Sequence, residues 1–250
     1  MEVEITYKLQ FESALLIGSG VVAAGVDRAT TQDERGRLII PGTTLKGRLR
    51  DECQRIASAL GRPEDYCQPP RTEDMCPHPF LAKPNSRVAL ASSAEFPICE
   101  LCQIFGCTWQ PSSLIFTTLI EEAPADLSRQ LWEEMAKTQV RASVAISRLR
   151  RVAAEERLYT SATSAPGWQP LFRGRIFGSL PEAKAVRFVS LLQAGLLALH
   201  ALGGSKSRGL GWLLPPAGHS IGLPFLEVKV GGKILTPEEF RQGLEGWRKL

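Results

Sequence analysis

The sequence predicts an α+β fold, an antiparallel sheet with helices on one face, from three observations. Residues 3–11 alternate apolar and polar side chains, as a half-buried strand does. Residues 43–61 and 181–204 carry apolar residues at helical spacing. Between and after these segments, short apolar runs are bounded by Pro and Gly, the mark of strands and turns.

The elements follow in order. "VEITYKLQFESALLIG" alternates and then turns apolar, which predicts the first strand. "GSGVVAAGVDRATTQDERGR" is rich in turn residues and leads into "RLIIPG", a short strand stopped by Pro-Gly. "TTLKGRLRDECQRIASALG" predicts a helix: Thr43 or Thr44 can cap it, Leu45, Leu49, Ile56 and Leu60 share a face, and Gly61 can end it. "SSLIFTTLIEE" predicts a strand and "DLSRQLWEEMAK" a short helix. Residues 139–178 have strand-like ends around a basic, small-residue middle, which predicts a long hairpin with Arg148, Arg150, Arg151 and Arg157 toward its tip. "PEAKAVRFVSLLQAGLLALHALGG" is an apolar helix, in which His200 is expected to be a core residue, and "GLGWLLPP" returns as a strand. A ferredoxin-like (RRM-like) βαββαβ sheet with insertions accommodates this order in a single domain over 1–250.

With 250 residues, 44% of them hydrophobic, the chain can bury a sizeable core. No run of about 18 apolar residues is present, so no membrane span is expected. The acidic, alternating N-terminus does not read as a signal peptide, and a cytoplasmic protein is expected. Six cysteines then favour metal or free thiols over disulfides. Cys67, Cys76, Cys99 and Cys102 fall in or beside a Pro-rich segment, about 62–103, with no periodic apolar pattern. Cys99 and Cys102 form a C-x-x-C turn, which offers two of the four ligands of a tetrahedral zinc. His78 is the alternative to Cys76. The plainer reading is a loop with scattered thiols.

A net charge of +4 is only mildly basic, but the cations cluster. Lys46, Arg48 and Arg50 occupy the first turns of the 43–61 helix, where the macrodipole favours acids, so an anion opposite them is one explanation and a solvated basic face is the other. "ALGGSKSRGLG" at 201–211 sets Lys206 and Arg208 among Gly203, Gly204, Ser205, Ser207, Gly209 and Gly211. Glycines let a phosphate approach peptide N–H groups. A surface turn that happens to be basic is the competing account.

"LLIGSG", "IPGTTLKGRLR", "CQIFG" and "GGSKSRGLG" occur in one order, and together they resemble the RAMP superfamily, the backbone subunits of type III CRISPR–Cas effector complexes. The resemblance implies a thumb at about 139–178. It implies a guide-RNA contact through Lys46, Arg48, Arg50, Arg148, Arg150, Arg151 and the loop Gly203, Gly204, Ser205, Lys206, Ser207 and Arg208. Such contacts position a guide without reading it. The partners it implies are CRISPR RNA, complementary target RNA and further RAMP subunits, with no membrane. In target-cleaving members an aspartate precedes the "IPG" strand, and Asp27 stands at that place, with Asp33 next in line. It implies endoribonuclease activity with a divalent cation, Mg or Mn, beside the structural zinc. The chain departs from the family at Leu16, where a histidine is common, and near Tyr159, where an acid is.

Three other functions compete. A structural subunit of the same fold would bind guide and cut nothing. A repeat-RNA processing endonuclease would call for a histidine near the N-terminus, whereas His78, His200 and His219 all lie elsewhere. A small-molecule enzyme with a phosphate loop would need a convergent acid–base pair, which the sequence does not display.

Overall fold

Val3, Ile5, Tyr7 and Leu9 point one way along β1 (Glu2–Gln10) and are all buried, while Glu4, Thr6 and Lys8 point the other way and are half-exposed. This alternation fixes the first strand and the side of it that receives the helices. The structure is a computed structural model that describes residues 1–18, 20, 25–61, 65–67, 75–76, 98–123, 132, 138–165, 168–215 and 223–248.

After β1 come β2 (Arg28–Ala29), β3 (Ile39–Ile40), α1 (Gly42–Leu60), α2 (Glu100–Phe105), β4 (Leu114–Phe116) and β5 (Leu119–Glu122). Then follow β6 (Thr138–Ser147), β7 (Val152–Ser164), β8 (Leu171–Ser179), α3 (Glu182–Leu197), β9 (Phe225–Val230), β10 (Lys233–Ile234) and α4 (Pro237–Glu245). The main sheet runs β10-β9-β1-β8-β5-β3, with β4 also on β8, and its pairings are antiparallel. The expected α+β class is therefore the observed one.

One face of this sheet meets α1 and α3. Leu45, Leu49, Phe188, Leu191 and Leu192 join Ile5, Leu9, Phe172 and Ile176 in a single core. The two helices approach closely because position 195 is glycine: a Cβ there would lie 2.7 Å from Cys53 Sγ and 2.9 Å from Leu49 Cδ1. On β8, Gly174 likewise leaves room for the ring of Tyr7, its register partner. The opposite face of the sheet is polar. Lys8 pairs with Glu122 at 2.6 Å, and Arg175 sits 3.3 Å from Glu4 and over the Phe177 ring.

Several local expectations are corrected. Neither Thr43 nor Thr44 caps α1; Pro41 occupies the N-cap and makes no side-chain cap bond, while Gly61 does end the helix. Residues 112–122 form two strands, β4 and β5, with the Thr117 hydroxyl between them bonded twice to the backbone of Arg175 on β8. "GLGWLLPP" makes only isolated bridges, Ala201 to Trp212 and Phe11 to Leu213; the strand that flanks β1 is β9, further along. His200 is exposed rather than in the core. The helix expected at 126–137 lies outside the described residues apart from Trp132, as do His78, His219 and most of the 62–103 segment.

The hairpin is β6 and β7, joined by the turn at 148–151, whereas 171–179 is β8 of the main sheet. Its base is stitched to the body by polar bonds. Ser164 exchanges bonds with the Leu15 backbone, and Thr30 Oγ1 donates to Ala162 O at 2.7 Å. β2 adds to β7 in parallel, Arg28 opposite Ser161.

Candidate nucleic-acid interface

The glycine-rich loop follows α3 and adopts backbone that other residues resist. Gly203, Gly209 and Gly211 have φ of 99°, 83° and 70°, and Ser205 also lies in the left-handed region at 56°. Two of these glycines are additionally held against the chain. A Cβ on Gly203 would come 2.6 Å from Leu16 O, and one on Gly211 would strike the Leu202 carbonyl. Gly204 N–H donates to Leu16 O and Gly211 N–H to Ala14 O, both at 2.8 Å, so the loop is fastened to the segment after β1. Lys206–Arg208 makes one 3-10 turn, closed by Gly209 N–H on Lys206 O at 3.0 Å, and Trp212 Nε1 donates to the same oxygen at 3.2 Å. Bare, pinned backbone is what lets a bulky polyanion come near the cations.

Two grooves flank this loop. The first, about 380 Å³, is lined by Leu16, Gly18, Thr44, Gly47, Arg48, Asp51, Gly203, Gly204 and Lys206. Burial and then the nearby charge of Arg48 lower the pKa of Lys206 from its ordinary value. Two cations held that close favour an anion between them. Arg48 is itself braced by Asp51 at 2.6 Å and Glu52 at 2.7 Å.

The second groove, about 700 Å³, is lined by Asp27, Arg28, Ala145, Arg157, Leu158, Tyr159, Ser205, Ser207 and Arg208. It brings the loop, the hairpin and the aspartate together. The Arg208 guanidinium bonds to the Tyr159 hydroxyl and lies over its ring. One residue on, Thr160 N–H and Oγ1–H reach Asp27 Oδ2 at 2.6 and 3.1 Å. These bonds, the backbone one first, hold the Asp27 carboxyl below its ordinary pKa although it is fully exposed. Both Thr160 bonds fall on the same carboxylate oxygen, Oδ2. Asp33 is spent elsewhere, on Arg37 at 2.7 Å and on the N–H groups of Arg35 and Arg37.

The remaining predicted cations are dispersed. Lys46 lies over the Phe116 ring at 5.5 Å, outside both grooves. Arg148, Arg150 and Arg151 stand exposed at the turn of the hairpin, Arg151 with a positive φ of 54°. Arg50 points at sulfur: Nη2 is 3.2 Å from Cys67 Sγ and 3.1 Å from Cys102 Sγ, and Nη1 is 2.9 Å from Gly106 O.

Those sulfurs belong to the cysteine cluster. The Sγ atoms of Cys67, Cys76, Cys99 and Cys102 all lie within 4.8 Å of one another, with Cys67–Cys102 at 3.3 Å and Cys67–Cys99 at 3.7 Å. Sulfurs around a tetrahedral zinc with Zn–S of ~2.3 Å stand about 3.8 Å apart. The set of four soft, mostly buried donors could hold a metal such as zinc. Cys99 N–H also donates to Cys76 Sγ at 3.4 Å, which ties the C-x-x-C segment to the upstream cysteine.

Residues 8–213 match the RAMP superfamily. The chain belongs to the RAMP superfamily. The match runs from the end of β1 through the glycine-rich loop to Leu213, and it points to a CRISPR-associated RNA-binding subunit whose partners are RNA and other effector subunits. No curated protein matches the chain. No helix among the described residues is long and apolar enough to cross a membrane. Sequence reasoning about this RAMP protein missed Arg28 and Tyr159 as groove residues and Thr160 as the partner of Asp27. Their signal was weak, since each is an ordinary strand residue whose role comes from the parallel β2–β7 pairing.

Proposed function

We propose that the chain is a guide-RNA-binding backbone subunit of a type III CRISPR–Cas effector complex that cleaves complementary target RNA. The single observation that carries the reading is the second groove, where an exposed, ionised Asp27 faces the cations of the glycine-rich loop and of β7. Arg48 and Lys206 would hold guide phosphates in the first groove, where Gly203 and Gly204 keep the backbone bare. The hairpin, with Arg148, Arg150 and Arg151 at its turn, would reach across the guide–target duplex as a thumb. We read the β9-β1-β8-β5 order as the ferredoxin-like core of one domain, with a zinc-stapled insertion at about 62–103 and the thumb within 139–178, working in the cytoplasm.

The reaction would be attack by a target 2′-OH on the adjacent phosphorus. The O2′–P bond forms, the P–O5′ bond breaks, and the 2′-hydroxyl proton leaves as the 5′ oxygen gains one. The products are a 2′,3′-cyclic phosphate and a 5′-OH. With its pKa held low, Asp27 is a poor proton acceptor at neutral pH, so its role is to orient the 2′-OH or ligate a divalent ion, Mg or Mn, through Oδ1. The test is a cleavage gel of labelled target RNA on assembled wild-type and Asp27→Ala complexes, with and without EDTA. Loss of cutting with target binding retained supports the reading.

A second reading has its own observation. Both Thr160 bonds to Asp27 Oδ2 anchor the base of the hairpin, which is what an aspartate in a purely structural, non-cleaving subunit would do. Equal cutting by Asp27→Ala would leave Asp27 in that role.

A further inference from the structure

Arg50 was expected at a phosphate, and the structure turns it the other way. Its guanidinium is half-buried and bridges Cys67 Sγ and Cys102 Sγ, while Nη1 holds the carbonyl of Gly106, the residue that ends α2. Cys102 lies within α2, and Gly106 N–H closes that helix onto Cys102 O at 2.8 Å. One side chain of α1 therefore grips the cluster and the short helix that carries Cys102 and has Cys99 at its N-cap. Two residues earlier on α1, Arg48 lines the first groove.

Charge explains why an arginine is needed. Four thiolates around a divalent ion carry a net charge of −2, and three of the four cysteines are buried. A buried net charge is costly unless a counter-charge and hydrogen bonds accompany it. A guanidinium meets both needs, because its fork reaches two sulfurs and a carbonyl at once. Lysine would bring the charge without the fork.

We infer that Arg50 is the positioning residue of the cysteine cluster: it compensates the thiolate charge when metal is held, and it fastens the metal-bearing segment to the helix that faces the guide groove. This rests on the metal reading of the cluster. Partners of this kind that hydrogen-bond metal ligands typically contribute 10–100-fold in metal affinity.

The experiment is a zinc titration of the full chain against a competing chelator, on wild type, Arg50→Met, Arg50→Lys and the exposed-face control Arg55→Met. Cobalt is the second probe, read through its thiolate absorption bands. The expected result is a 10–100-fold loss for Arg50→Met, an intermediate loss for Arg50→Lys, wild-type affinity for Arg55→Met, and shifted cobalt bands in both Arg50 variants. Should Arg50→Met fail to fold, Arg50→Lys and its cobalt spectrum decide the matter alone. Wild-type affinity and an unshifted spectrum in the Arg50 variants would overturn the inference while leaving the metal site intact. A wild-type chain that takes up no metal would instead sink the metal reading, and this inference with it.

Discussion

β1 and β6 are written almost alike and end in opposite surroundings. β1 places Val3, Ile5, Tyr7 and Leu9 at alternate positions, and β6 does the same with Val140, Ala142, Val144 and Ile146. The first row is buried, at 4% exposure or less, whereas Val140, Val144 and Ile146 remain 57%, 45% and 66% exposed. Alternation sets which side chains share a face of a strand; it does not say what covers that face. In the main sheet the cover is α1 and α3. In the hairpin, no described residue of the chain supplies it. Under the proposed function, this apolar row beside exposed arginines would meet a guide–target duplex.

The sharpest way to separate the two regions is by what their mutants lose. Asp27→Ala, on the hairpin side, is expected to lower target cleavage by about 10²-fold or more, as loss of a positioning group does, while leaving the thermal midpoint close to wild type. A gel and a melting curve on the same preparation check both halves. The core gives the inverse. Phe172, fully buried on β8 and edge-on to Phe11 at 5.5 Å, should cost about 3–5 kcal/mol as Phe172→Ala, measured by urea unfolding. Leu149 is 94% exposed at the hairpin turn, and Leu149→Ser should move stability by less than about 0.5 kcal/mol while weakening target engagement. A large stability loss at Leu149 would break the comparison, because the hairpin would then have a cover within the chain.

Smaller effects sharpen the groove assignments. Arg48→Ala with Lys206→Ala removes two proposed phosphate contacts, so the slope of log affinity for a single-stranded guide against log salt should fall by about 1.4. Lys46→Ala, whose ammonium lies over Phe116, should change that slope less. Filter binding across a salt series distinguishes them.

The Asp27–Thr160 clamp carries the weakest pH effect. The carboxyl pKa is lowered in the folded chain, so whatever the clamp adds is present above the ordinary value of 3.8 and is lost as pH falls through the lower folded value. Thr160 amide exchange, corrected for its intrinsic pH dependence, should therefore show constant protection between pH 5 and 8 and a loss only in stronger acid. A change in protection near neutrality would mean that another group holds the hairpin base.

The two faces of α1 show how far residue type alone can be read. Lys46, Arg48 and Arg50 form one basic cluster in the sequence, yet they meet an aromatic ring, an anion-favouring groove and a pair of sulfurs. Arg48 is turned by about 200° from Lys46, whereas Lys46 and Arg50 share a face one turn apart along the axis, so the three meet different neighbours once α2 and the glycine-rich loop are packed on. The cysteines were legible because their spacing and chemistry are local in C-x-x-C and compositional elsewhere. Their joint geometry, and Arg50 among them, required the fold.

By itself the sequence determined what is local: the alternation of β1, the apolar faces of α1 and α3, the glycine loop that only left-handed backbone explains, and the motifs that mark a RAMP protein. Those features depend on φ/ψ preference and on periodicity, which act within a few residues. Only the tertiary structure decided that β9 rather than 209–216 flanks β1, that β8 belongs to the sheet and not to the hairpin, and that Thr160 lies beside Asp27. Each of these is a pairing between residues tens to more than a hundred positions apart, chosen by which surfaces the packed helices leave open and by the register that buries a whole face at once.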